Sequence, residues 1–146
     1  MKPLEILLEA LRARGMRITP QRRLILELLC GDSSHPTVDD IYTRAVAAMP
    51  NISRTTVYNT LRELVRLGEL APVEGLSDAS ARYDTRTDDH DHVFCVSCGK
   101  LVDIDQVPDR RALTDVQTAG FQVFRHQVTY YGFCPDCRRR RAGAAT

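Results

Sequence analysis

The chain has 146 residues, of which 43% are hydrophobic and 27% charged, and its formal net charge is +1. This composition is ordinary for a soluble globular protein of one domain or two small ones. No apolar run approaches the roughly 20 residues that a bilayer-spanning helix needs, and the first residues do not follow a signal-peptide pattern. We therefore expect a cytoplasmic protein without a membrane partner, in which cysteine pairs bind metal more often than they form disulfides.

The small net charge hides an asymmetry between the two halves. Residues 1–71 hold ten basic and eight acidic residues, whereas residues 72–137 hold six basic and eleven acidic ones. A mildly basic front and an acidic rear suggest different partners, a polyanion for the first and a cation for the second.

Four segments of the front half carry apolar residues at helical spacing, which predicts four helices. Gly15 stops the first, Thr19-Pro20 starts the second, and Thr37 starts the third in capping-box style. Ser53 caps the fourth, which Gly68 closes.

Two short apolar segments, 70–73 and 81–83, flank a Gly/Ser/Asp-rich turn and predict a β-hairpin. Compact helices followed by a hairpin indicate a winged helix-turn-helix domain over residues 1–83, with its recognition helix at 53–67. The outward side of that helix offers groups suited to phosphates and base edges: Arg54, Thr55, Thr56, Tyr58, Asn59 and Arg62. An amphipathic helix with a solvated polar face is the alternative. We place Arg17 and Arg22 near the DNA backbone or minor groove.

The rear half, residues 84–146, is predicted to be a small α/β domain joined by a hinge at about 76–86. Strands are expected at 92–96, 100–104 and, as one long strand, 121–133, with a short helix from Pro108 through Val116. An open sheet edge of this kind commonly pairs, so we expect a homodimer. The fold class is therefore α+β.

Two C-x-x-C pairs, Cys95/Cys98 and Cys134/Cys137, have the spacing of a closed tetrahedral zinc site. The alternative is that a C-x-x-C pair is a redox dithiol. The presence of a second matching pair makes this alternative less favoured. Cys30 is left over and is expected on an apolar helix face.

Two imidazoles, His90 and His92, lie just before the first pair and outside the zinc cage. They are available to a second ion, although a solvated acidic loop is the alternative, because Asp88, Asp89 and Asp91 surround them.

With these residues identified, the chain closely resembles the ferric uptake regulator (Fur) superfamily. The matching segments are RITPQR at 17–22, HPTVDDIY at 35–42, TVYNTL at 56–61, HDHVFCVSCG at 90–99 and YGFCPDC at 131–137. The resemblance implies a dimeric, metal-dependent bacterial repressor that binds a double-stranded DNA operator through a winged-helix domain.

Within the superfamily the peroxide-stress regulators (PerR) match best, because iron-sensing relatives usually carry Glu where this chain has Asp84. The resemblance implies a regulatory Fe(II) or Mn(II) site, and nitrogen and oxygen ligands suit these ions. Its ligands would be His35, Asp84, His90, His92 and Asp103. It also implies that His35 and His90 are sensitive to oxidation. One ion bound by residues of both halves would fix the angle between them.

Two other functions remain open: an iron, manganese or zinc uptake regulator of the same superfamily, and a hydrolytic metalloenzyme. We expect no enzyme, since the chain has no nucleophile motif, no H-E-x-x-H and no Gly-rich phosphate loop. A third metal site around His126, with Asp91 and an acidic residue near Asp109, is not expected to be complete. The run Arg138–Arg141 is expected to be a solvated flexible terminus, with nucleic-acid binding as the alternative.

Overall fold

The computed structural model describes residues 1–73, 76, 81–105, 119–123 and 126–143. These residues form two compact units, 1–87 and 88–146. The first holds four helices and a hairpin, and the second a three-stranded sheet with one helix, so the predicted α+β class is confirmed.

The four helices of the first unit are α1 (Leu4–Ala13), α2 (Pro20–Leu29), α3 (Val38–Ala48) and α4 (Arg54–Arg66). Their caps are the predicted ones, because Thr19 accepts a hydrogen bond from the Arg22 N–H and Ser53 accepts one from the Thr56 N–H. Thr37 forms a complete capping box with Asp40. These local signals fix where each helix begins.

The core of the first unit is formed by the apolar faces of these helices. Leu11, Ile25, Ile41 and Leu61 are completely buried in it. Truncating such a side chain to alanine typically costs about 2–5 kcal/mol, since the cavity collapses only partly. Helix α4 buries Val57, Leu61 and Leu64 in this core, so its opposite face points outward.

A short antiparallel hairpin, β1 (Ala71–Val73) and β2 (Arg82–Asp84), forms the wing. Strand β2 also meets the loop before α3, because the Tyr83 N–H donates to the Pro36 carbonyl at 3.0 Å. The hairpin therefore holds the end of β2 beside the segment that contains His35.

The second unit contains β3 (Asp91–Cys95), β4 (Leu101–Ile104), β5 (Thr129–Gly132) and helix α5 (Pro135–Gly143). Strand β3 is central, antiparallel to β4 and parallel to β5. Its register places His92 opposite Asp103.

Two expectations for the second unit were wrong. Within the described part of 121–133 only Thr129–Gly132 is strand, because its partner β3 has just five residues and the pairing with β5 begins at His92 and Thr129. Residues 138–141 are not a flexible terminus but belong to α5, whose first residue is Pro135, a residue suited to the start of a helix. The predicted helix at 108–116 lies outside the described residues.

Candidate metal centres and nucleic-acid interface

The four predicted zinc ligands come together in the second unit. Cys95 ends β3, Cys98 lies in the turn that follows, and Cys134 and Cys137 flank the start of α5. Their sulfur atoms all lie within 4.8 Å of one another, and none forms a disulfide. Four thiolates about 2.3 Å from a zinc ion would be about 3.8 Å apart, and the Cys98 and Cys134 sulfurs are 3.8 Å apart. The donor set and its spacing therefore fit zinc.

The surrounding groups favour the thiolate form at two of these positions. The Cys134 N–H donates to Cys95 Sγ at 3.3 Å and lowers the pKa of Cys95 to about 6. Hydrogen bonds from Ser97 and Arg140 lower the pKa of Cys137. Cys98 differs: the Lys100 N–H lowers its pKa, but hydrogen bonding with Cys95 counteracts this, and its pKa is raised to about 11. Thiolates, not thiols, bind zinc, so Cys95 and Cys137 are prepared for metal.

A second cluster in the same unit consists of His90, His92 and Asp103. The two Nε2 atoms are 3.2 Å apart, and they lie 3.5 and 3.4 Å from Asp103 Oδ1. Ligand atoms about 2.1 Å from one ion lie about 3.0–3.4 Å apart in octahedral or tetrahedral geometry. The three atoms thus have the spacing of one face of a coordination sphere, and two imidazoles with one carboxylate are a recurrent face for Fe(II).

The main chain orients one of these imidazoles. His90 Nδ1 lies 2.8 Å from the Asp88 carbonyl, which can only accept a hydrogen bond. This contact places the proton on Nδ1 and leaves the Nε2 lone pair directed at the cluster. His90 and His92 are 1% and 0% exposed, so the two imidazoles are shielded from water.

The two remaining predicted ligands, His35 and Asp84, meet in the first unit. Asp84 Oδ1 accepts the Arg86 N–H at 2.7 Å, and its Oδ2 lies 3.7 Å from His35 Nε2. Both side chains are almost fully buried, which is costly for a carboxylate unless it is paired or coordinates a metal. Imidazole and carboxylate are again the donor types that fit Fe(II) or Mn(II).

Sequence reasoning missed how the His35 loop is held. His35 has a φ of +54°, a left-handed conformation that is uncommon for residues other than glycine. Asp32 stabilises the loop, since its Oδ1 accepts the Ser34 N–H and its carbonyl accepts the Thr85 hydroxyl at 3.0 Å. The Arg44 guanidinium forms an ion pair with the other carboxylate oxygen of Asp32 at 2.5 Å. The Asp-Ser-Ser sequence before His35 is an Asx-turn signal that could have indicated this.

The outward face of α4 carries the residues predicted to contact DNA. Tyr58, Asn59 and Arg62 are exposed. Arg54 is also exposed but forms an ion pair with Asp39 at 2.5 Å. The hydroxyl of the half-buried Thr56 lies 2.8 Å from the Ser53 hydroxyl in the helix cap.

The two basic residues predicted outside α4 differ in their contacts. Arg17 is exposed, whereas Arg22 pairs with Glu63 of α4 at 2.7 Å and donates to the Arg17 carbonyl. A phosphate would therefore have to compete with Glu63 for Arg22.

Two of the residues considered for a third metal site are described, and their surroundings differ. Asp91 is completely buried and accepts the Val128 N–H at 3.1 Å, whereas His126 is exposed. Asp109 lies outside the described residues.

Among the described helices, none is both long and apolar enough to cross a membrane.

Comparisons with known proteins agree on one family. The model of the "Ferric uptake regulator family" matches residues 13–131. The peroxide operon regulator of Bacillus subtilis (strain 168) is 42% identical over 138 residues, which cover 91% of this chain and 92% of that protein. Among solved structures, PerR from Streptococcus pyogenes, described in terms of peroxide sensing and gene regulation, is 34% identical with a TM-score of 0.55 and covers 94% of each chain. A zinc-bound manganese uptake regulator is 32% identical with a TM-score of 0.68 and covers 91% of this chain and 99% of that one.

Proposed function

The chain belongs to the ferric uptake regulator family, and we propose that it is a homodimeric, metal-dependent transcriptional repressor that senses peroxide in the cytoplasm. The observation that carries the proposal is the convergence of His90 Nε2, His92 Nε2 and Asp103 Oδ1 within 3.2–3.5 Å of one another. Nitrogen and oxygen donors in this arrangement suit a redox-active ion, whereas the sulfur cage suits redox-inert zinc. The two centres therefore have different roles.

Zinc at Cys95, Cys98, Cys134 and Cys137 is structural. It joins the end of β3 to the start of α5, where the Cys134 N–H already donates a hydrogen bond to Cys95 Sγ. Metal affinity in such a site is folding energy. Domain boundaries at about residue 83 and a dimer through the rear domain are part of the same proposal.

The regulatory ion is Fe(II) or Mn(II), held by His35 and Asp84 of the first unit and His90, His92 and Asp103 of the second. An ion bound by all five joins residues of both units and fixes the angle between them, and hence the spacing of two recognition helices in a dimer. The operator contacts come from Arg54, Thr56, Tyr58, Asn59 and Arg62, with Arg17 and Arg22 at the backbone or minor groove.

When bound, Fe(II) supplies the electrons that convert peroxide into an oxidant close to the ligands. Overall, the O–O bond would break, one peroxide oxygen would be added at an imidazole C–H of His35 or His90 to give 2-oxo-histidine, a poorer ligand, and the other oxygen would leave as water. Once the ligand set fails, the two units lose their fixed angle and DNA is released. Oxidation of the protein's own ligand is not turnover, so the protein is no enzyme.

The test compares Fe-loaded and Mn-loaded protein after mild peroxide treatment. Peptide mass spectrometry should find one added oxygen on the peptides bearing His35 or His90, in the Fe form only, together with loss of operator binding. His126 is an internal control, since it is exposed and outside the proposed ligand set. Oxygen confined to Met or Cys, with binding governed by metal concentration alone, would support a metal-uptake regulator instead, a function named for one of the solved relatives.

A further inference from the structure

The arginine run on α5 is not a uniform basic surface, because its members have different partners. Arg139 pairs with Asp136, one turn earlier on the helix. The guanidinium of Arg141 lies over the Phe133 ring at 4.3 Å. Arg140 instead turns toward the cysteine cluster, where its Nη2 donates to Cys137 Sγ at 3.0 Å. Arginines that are adjacent in the sequence of one helix therefore contact a carboxylate, an aromatic ring and a sulfur atom, respectively.

The Arg140 contact is a charge-assisted hydrogen bond to an almost fully buried sulfur, since Cys137 is 2% exposed. Such bonds are roughly twice as strong as neutral ones, and low local dielectric strengthens them further. The guanidinium thus contacts one sulfur of a cluster whose four sulfur atoms lie within 4.8 Å of one another.

Charge balance indicates what this contact is for. A zinc ion with four thiolates keeps a net negative charge, and placing negative charge among buried groups is costly unless it is compensated. Arg140 provides a positive charge and a directed N–H donor at the most buried sulfur. Groups that hydrogen-bond to metal ligands typically change metal affinity by about 10–100-fold when they are removed.

The geometry points to Arg140 as a positioning residue that stabilises the Cys137 thiolate and slows the release of zinc from the four-cysteine site. This inference rests on the proposed structural zinc site. It assigns to one arginine of the run a role that neither a solvated basic tail nor a nucleic-acid contact would have.

The first experiment measures zinc transfer from the full-length protein to an excess of a chromophoric chelator. Arg140→Ala should release zinc about tenfold faster than the wild type. Arg141→Ala is the matched control, because it weakens the packing of the same helix on Phe133 without touching a sulfur, and its release rate should stay near that of the wild type. Arg140→Lys keeps the charge but lacks the planar donor pair, so its rate should lie between those of Arg140→Ala and the wild type.

A second readout separates this role from simple fraying of α5. In the Co(II)-substituted protein, loss of the hydrogen bond makes the Cys137 thiolate a stronger electron donor. The sulfur-to-cobalt charge-transfer band should therefore move to lower energy in Arg140→Ala and stay in place in Arg141→Ala.

Equal release rates and equal bands for wild type and Arg140→Ala would overturn the inference, as would equally fast release from Arg140→Ala and Arg141→Ala. A wild-type protein that binds neither zinc nor cobalt would instead overturn the zinc site itself, and with it the inference.

Discussion

Replacing His35 by alanine or by glycine separates the metal-binding role of this residue from its backbone geometry. Both changes remove the imidazole, and they differ only by one methyl group. At a φ of +54°, alanine meets the steric penalty of the left-handed region, about 1–2 kcal/mol. Glycine avoids that penalty but loses about 0.5–1 kcal/mol through its greater freedom in the unfolded chain. The metal-free glycine variant should therefore be more stable than the alanine variant by up to about 1.5 kcal/mol.

Metal binding adds a second, larger effect in the wild type alone. An ion at one hundred times its dissociation constant stabilises the folded state by about 2.7 kcal/mol. Because His35 is one of the five proposed ligands, both variants should lose most of this gain. Urea unfolding followed by circular dichroism, with chelator or with Mn(II), measures the free energy of unfolding of all three proteins.

Two results would refute this reasoning. Mn(II) stabilisation of both variants equal to that of the wild type would remove His35 from the ligand set. An alanine variant as stable as the glycine variant would show that the loop does not impose the left-handed conformation on residue 35.

Three further predictions concern the other sites. Arg62→Ala should lower operator affinity by about 1–3 kcal/mol if Arg62 reads a base edge, and should weaken operator and random DNA alike with a shallower salt slope if it contacts phosphate; unchanged affinity for both in a salt titration would mean that α4 is not the recognition helix. Cys95→Ser should lose tightly held zinc and the dimer, which metal analysis and light scattering measure; retention of both would contradict the zinc assignment. The pKa of Asp40 is lowered by hydrogen bonds from the Thr37 backbone N–H and hydroxyl, so its stabilising contribution is present at neutral pH and is lost as the pH falls below about 4. Asp40→Asn should therefore unfold with a shallower acid dependence than the wild type in a pH series of melts, and an equal slope would argue against the role of this carboxylate.

The helices of the first unit could be predicted because their signals are local. Thr19, Thr37 and Ser53 each cap a helix through a hydrogen bond to a residue three positions later, so adjacent sequence specifies both partners. The cysteine cluster was predictable for a related reason, since each C-x-x-C pair is itself a local unit.

The remaining features depend on contacts between distant segments. Strand β5 is short because it can pair only as far as β3 extends, and the paired residues of β3 lie 37 positions earlier in the sequence. The alternating pattern of 121–133 gives no information about the length of that partner strand. The left-handed His35 is held through Asp32 and Thr85, which are 53 residues apart. His35, Asp84 and Asp103 look like ordinary polar residues in isolation, and only the family resemblance suggested that they act together.

Strand β3 carries members of both proposed centres, with His92 and Cys95 three positions apart. At about 3.3 Å per residue, these two ligands lie about 10 Å from each other along a single central strand. The order of metalation then matters, because a cage without zinc leaves the end of β3 unsecured and the imidazole three residues upstream poorly placed. Zinc should therefore be acquired before the regulatory ion. In a cell starved of zinc, the repressor should not respond to peroxide, however much iron is available.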